Sequence, residues 1–103
     1  MEKCIVVTTL SDSLSVIKNI QKKLLEKHLV AGCQISIVNS TYWWNNEINE
    51  TKEYHLELRT KLPLYSNIET IIKDLHNYEV PEISYYEIKG SNDIIKWINE
   101  NTI

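Results

Sequence analysis

The sequence predicts an α+β fold built on one antiparallel sheet, and three observations predict it. Strand-forming runs, rich in β-branched and aromatic residues, occur at four places. Two stretches with apolar residues at helical spacing separate them, in the order β-α-β-β-α-β. The two middle runs are joined by Asn45-Asn46 and are far longer than ordinary strands.

Residues 3–9 are apolar on both faces, the pattern of a buried central strand. Ser11-Asp12-Ser13 offers capping oxygens for a helix carrying Leu14, Ile17, Ile20 and Leu24 on one face and Lys18, Gln21, Lys22 and Glu26 on the other. That helix is expected to end near His28 and Leu29, with Gly32 as a turn or bulge. From Cys33 the period becomes two. Cys33, Ile35 and Ile37 share one side, and β-propensity continues through Thr41-Tyr42-Trp43-Trp44. After the Asn45-Asn46 turn, Tyr54, Leu56, Leu58 and Thr60 alternate with Glu53, His55, Glu57 and Arg59. This reads as a strand with its second set of residues in water. The hairpin has roughly 12 residues per arm, against a usual ~5–6.

Pro63 closes the third strand. Ser66 and Glu69 have the spacing of a capping box, and Ile68, Ile71, Ile72 and Leu75 follow at helical spacing. The helix is expected to end by Asn77. A last strand spans 83–88. Gly90-Ser91-Asn92 then starts a short C-terminal helix, with Ile94, Ile95, Trp97 and Ile98 inward. Right-handed crossovers in each split β-α-β unit place both main helices on one face of the sheet. The expected architecture is a ferredoxin-like sandwich, one domain over residues 1–103.

Composition narrows the function. Fourteen acidic against eleven basic residues give a formal net charge of −3, and no basic run occurs. This disfavours nucleic acid as a partner. RNA binding on such a sheet would also need aromatics flanked by basic residues, where this strand offers Glu53, His55 and Glu57 beside one Arg. No apolar stretch approaches the ~20 residues needed to span a bilayer. With two cysteines and no leader-like segment, the expected location is the reducing cytoplasm. Cys4 and Cys33 read as small buried hydrophobes. No phosphate loop, His-Glu-x-x-His or Cys-x-x-Cys motif is present, and an enzyme is not expected.

The hairpin outruns what the helices cover. Tyr42, Trp43 and Trp44 lie at its far end, where they would leave an adhesive patch on a monomer. They are expected to pack against another copy of the chain.

Several segments together resemble the CutA divalent-ion tolerance family. They are Val6-Val7-Thr8-Thr9, Ser40-Thr41-Tyr42-Trp43-Trp44, Leu58-Arg59-Thr60, His76-Asn77-Tyr78-Glu79-Val80-Pro81-Glu82-Ile83 and Lys96-Trp97-Ile98. The resemblance covers essentially the whole chain in order. It implies a non-enzymatic ferredoxin-like homotrimer, joined through edge strands and the long hairpin, and high stability. It also implies a link to tolerance of copper and other divalent cations. Likeness of that trimer to PII-type signalling proteins implies ligand clefts between subunits and an alternative role as a small-molecule sensor. The chain departs from the family pattern in places. Asn77 stands where Pro is usual, Asn45-Asn46-Glu47-Ile48 replaces a Gly-Lys-Ile turn, and Gly32-Cys33-Gln34 replaces Ala-Cys-Val-Asn. Where some members carry a Cys and paired His residues linked to copper, this chain has Thr8 and Leu75-His76.

The candidate site residues follow. His76, at the negative end of a helix, reads as a ligand for a weakly bound divalent metal such as copper, with Glu82 across the turn. The competing reading is a helix-end imidazole bonded to backbone. Tyr78, Glu79 and Glu82 read either as a rigid connector set by Pro81 or as the rim of an intersubunit cleft. Arg59 reads as a surface ion-pair partner of Glu57 or as a fork holding an anion at a subunit boundary. No cofactor is required.

Overall fold

A computed structural model describes residues 1–103. The chain runs β1 (Cys4–Ser11), α1 (Leu14–Glu26), β2 (Gly32–Trp44), β3 (Glu47–Lys61), a 3₁₀ turn (Leu62–Leu64), α2 (Tyr65–Leu75), β4 (Ser84–Ile88) and α3 (Asn92–Glu100). The sheet has the order β2-β3-β1-β4, antiparallel throughout, which is the ferredoxin-like arrangement expected. β1 is central and almost wholly buried.

Strand pairing decides the faces, because directly opposed residues of an antiparallel pair point the same way. Ile5, Val7 and Thr9 oppose Thr60, Leu58 and Leu56. This face carries α1 and α2, and Ile5, Val7, Ile17, Ile20, Leu24, Leu56, Leu58, Ile68 and Ile72 form the core there. Cys4 and Val6 point the other way, yet both are buried. α3 covers them: Ile98 is fully buried, and Asn99 donates its side-chain amide to Cys4 Sγ at 3.6 Å. Helices therefore lie on both faces, with only α1 and α2 sharing one. Of the residues expected inward on α3, only Ile98 is buried. Trp97 is half-exposed and lies across Gly32, where an added Cβ would sit 3.2 Å from its ring. Gly32 is thus a strand residue chosen for close approach, not a turn.

The turn after α1 belongs to His28, at φ 56°. His28 N–H donates to Leu25 C=O and Leu29 N–H to Leu24 C=O, the two bonds of a Schellman motif with a non-glycine in its left-handed position. Replacing His28 with Gly is expected to stabilise the fold by about 0.5–1 kcal/mol, read as a higher denaturation midpoint. A lowered midpoint would mean the imidazole makes a contact that matters more than its backbone.

Ser13 and Ser91 cap α1 and α3 through their hydroxyls, each at 3.3 Å from the N–H three residues on. The Ser66–Glu69 capping box does not form. Pro63 starts a 3₁₀ turn early, so the helix is already under way at Tyr65 and Ser66 lies inside it. Glu69 instead pairs with Lys73 at 3.2 Å.

The hairpin is as long as expected. Asn45 and Asn46 have φ of 51° and 62°, the left-handed pair of a type I′ turn. β1 reaches along β3 only to Tyr54, so residues 38–44 and 47–53 continue as a two-stranded ribbon with no third strand. At ~3.3 Å per residue that overhang is roughly 23 Å long. It draws the molecule out to 44 × 24 × 21 Å, with a radius of gyration of 14.2 Å. A compact domain of this length has ~13 Å.

Candidate ligand groove at the root of the ribbon

The segment after α2 closes over the root of the ribbon through three successive side chains. His76 Nε2–H donates to Leu10 C=O at 2.8 Å, and Tyr78 N–H donates to His76 Nδ1 at 3.0 Å. A carbonyl only accepts and an amide N–H only donates, so these partners assign the ring proton to Nε2. Asn77 takes the Ser11 hydroxyl on its side-chain oxygen at 2.5 Å and donates its NH₂ to Asp12 at 2.9 Å. Tyr78 Oη accepts from Asp12 N–H at 2.8 Å and donates to Glu53 Oε2 at 2.5 Å. The three side chains form a clasp on the end of β1, beyond Thr8, where its pairing with β4 has stopped.

Glu53 was expected in water with His55, Glu57 and Arg59. It does share their face, but it is only 2% exposed. Period-two alternation assigns a side chain to a face; it does not say what else covers that face. Here Tyr78, arriving from beyond α2, covers it. The clue in the sequence was the Tyr-Glu-Val-Pro-Glu bend, whose first residue had no assigned partner.

Between ribbon and bend lies a groove of about 750 Å³. Tyr42 and Trp44 line one wall, Glu53 and Leu10 the floor, and Tyr78, Glu79 and Glu82 the other wall. Two sets of residues predicted separately, the aromatic tip and the cleft rim, therefore meet in one place. Tyr42 and Trp44 share the face of Glu53, through pairings Tyr42–Asn49 and Trp44–Glu47. Trp43 pairs with Ile48 on the reverse face, and the two are 72% and 64% exposed. Both ribbon faces therefore carry large apolar side chains near the tip.

Arg59 is not in this groove. Six residues from Glu53 along β3, it lies roughly 20 Å away at ~3.3 Å per residue, with its guanidinium 3.7 Å from Glu57. His76 does not line the groove either. With both ring nitrogens engaged, it has no lone pair to spare, so His76 and Glu82 as they stand in one chain do not fit a copper ion. No three His, Cys, Asp or Glu side chains come together in the chain as a metal-binding cluster. Cys4 and Cys33 are free thiols, and burial pushes both above the ordinary value. They are poor nucleophiles and poor ligands as a result.

Two phenols are shifted. Burial, then the bond to Glu53, pushes Tyr78 well above the tyrosine range. Burial, then the bond to Glu69, pushes Tyr65 up to about 12. Both hold their proton more tightly folded than unfolded. The stability this supplies is whole below the ordinary value of 10.0 and is lost as pH climbs through about 12. In an alkaline titration followed by tyrosinate absorbance, Tyr65 and Tyr78 are expected to ionise last of the six tyrosines, with unfolding. Tyr78→Phe should remove part of the late step. A single early step for all six would contradict the clasp.

No helix is long and apolar enough to cross a membrane. Comparison with known proteins agrees with the architecture. The family model described as CutA1 divalent ion tolerance protein matches residues 4–101. The divalent-cation tolerance protein CutA of Pyrococcus horikoshii is 36% identical over 99 residues, 95% of this chain and 96% of that protein. Its namesake in Thermus thermophilus is 33% identical over 99% of both chains. Among solved structures, CutA1 from Ehrlichia chaffeensis superposes with a TM-score of 0.92 at 27% identity, covering 100% of this chain and 98% of that one. The CutA of Archaeoglobus fulgidus, described as periplasmic, gives 0.91 at 27% identity over 95% of this chain and 97% of its own. From its first strand to its last helix, this chain belongs to the CutA1 divalent ion tolerance family.

Proposed function

We propose that this chain acts in divalent-cation tolerance as a non-enzymatic homotrimer in the cytoplasm. The observation that carries the reading is the family match over residues 4–101, with relatives named for that role at 36% and 33% identity. Assembly is supported by the overhanging ribbon, since an isolated two-stranded ribbon is marginal in water. It is also supported by the two open sheet edges, β2 and β4. A contact from one edge to the other kind of edge joins unlike surfaces, and three such contacts close a ring. The absence of an enzymatic role is supported by where the polar side chains are spent: His76, Asn77 and Tyr78 all hold the clasp.

Growth of a host lacking this chain, in medium titrated with copper and zinc salts, tests the role. Resistance should fall and return with the wild-type chain; unchanged growth removes the proposal. A weakly held copper ion at His76 and Glu82 is the secondary part. The imidazole would have to release Leu10 or Tyr78 to bind, so calorimetry with Cu²⁺ should give weak heats in the wild type that fall further in His76→Ala. Identical weak binding by both proteins would remove His76 as a ligand.

The groove favours a second reading, a PII-like module that senses a small molecule between subunits. Its volume lies within the usual ~300–1,000 Å³ of ligand pockets, and Tyr78, Glu79 and Glu82 form its rim. A thermal-shift screen tests it, because a specific ligand raises stability as its concentration passes Kd.

A further inference from the structure

We propose that the groove binds an aliphatic organic cation with separated charges, of the polyamine class. Glu53, Glu79 and Glu82 would take its ammonium groups, and the rings of Tyr42 and Trp44 its methylene chain. The inference rests on reading the groove as a ligand cleft and adds the chemistry of the ligand.

Four observations converge. The first is sign: the groove is lined by Glu53, Glu79 and Glu82, and by no Lys, Arg or His. The second is Glu53 itself. It is 2% exposed and receives one hydrogen bond, from Tyr78 to Oε2. Oε1 receives none, and it is not among the sealed polar atoms, of which Thr9 Oγ1 alone lacks a partner. A buried carboxyl with one oxygen open to a groove is costly unless something cationic or hydrogen-bonding visits it. The third is spacing. The three carboxyls do not converge into a cluster that could hold one metal ion. A divalent ion needs several oxygens around one point, whereas charges strung along a chain suit carboxyls spread along a groove. The fourth is the aromatic wall. Ring faces attract ammonium groups and the polarised methylenes beside them, and they give a small hydrated metal ion no ligand.

The test is calorimetry on the full chain in its native assembly at physiological salt, with spermidine, Mg²⁺, Cu²⁺ and ATP as separate probes. The assembled mass is measured on the same samples. Glu53→Gln also disturbs the clasp, so the double variant Glu79→Gln/Glu82→Gln carries the test, with Trp44→Leu as a second. Both alter exposed side chains. Spermidine is expected to bind saturably and to weaken at least about tenfold in each. Glu26→Gln/Glu100→Gln, on exposed helix positions outside the groove, should bind as wild type. Four outcomes overturn the proposal. They are no saturable spermidine binding by an intact assembly, equal loss in the helix variant, Mg²⁺ or Cu²⁺ matching spermidine in the groove, and ATP binding there in its place. The last keeps the cleft and removes its cationic preference. Failure of all four probes removes the cleft as well.

Discussion

Replacing Trp43 with glutamate is expected to convert the proposed trimer of about 36 kDa, three times the 12.1 kDa of one chain, into folded monomers. Trp43 is 72% exposed in the isolated chain and pairs with Ile48 on the ribbon face turned away from the groove. No helix reaches that face, since α1 and α2 cover β3 only where β1 also runs. A central aromatic at an interface is worth about 2–4 kcal/mol on truncation, and a glutamate adds desolvation of a charge. A closed ring of three repeats the loss three times. The sum is about 6–12 kcal/mol per trimer, a factor of roughly 10⁴–10⁹ in the trimer dissociation constant. Helix and strand content should survive, because the core beneath α1 and α2 is untouched. Light scattering and circular dichroism on one sample decide the matter. A mass of about 36 kDa for the variant would move the interface elsewhere, and a wild-type mass near 12 kDa would remove the trimer itself.

How far the sequence speaks follows from the range of each physical signal. The ribbon, its Asn45-Asn46 turn and the serine caps were legible because each is local: two-residue alternation, tolerance of positive φ, a hydroxyl beside three open N–H groups. The start of α2 was misread because Pro63 acts two residues before Tyr65, and a capping-box pattern inside a helix already begun has no open N–H to satisfy. Helical spacing on α3 marked Trp97 as inward, yet period alone could not say that the short helix meets the opposite sheet face over Gly32. The groove was half legible. Its aromatic wall and its Tyr-Glu-Val-Pro-Glu rim were both singled out. Glu53, the floor that joins them, was not, because the residue that buries it is 25 positions away. Arg59, read as an ion-pair partner of Glu57 or as a fork at a subunit boundary, is carried roughly 20 Å from that rim by the extended backbone of β3.

Tyr78→Phe is expected to be the most damaging single-oxygen deletion in the chain. It removes the one donor that Glu53 receives and the acceptor that Asp12 N–H uses. Leaving a buried carboxyl without its hydrogen-bond donor costs about 1–3 kcal/mol, and more where the group is charged. Here Glu53 Oε1 opens on the groove and water relieves part of that, so about 1–3 kcal/mol is expected. That is a large share of the ~5–15 kcal/mol of a typical domain. Glu53→Met should cost less. It exchanges a carboxyl for an apolar side chain of similar size against Leu10, and Tyr78 keeps its bond from Asp12 N–H. The double variant Tyr78→Phe/Glu53→Met has no stranded carboxyl. It should therefore be more stable than Tyr78→Phe alone, with a coupling of about 1–3 kcal/mol between the two sites. Denaturant unfolding of the four proteins, at one protein concentration so that assembly contributes equally, measures that coupling. Strict additivity would mean that Glu53 finds other partners when Tyr78 is lost. The clasp would then rest on His76 and Asn77, and the tyrosine would serve the groove wall rather than the fold.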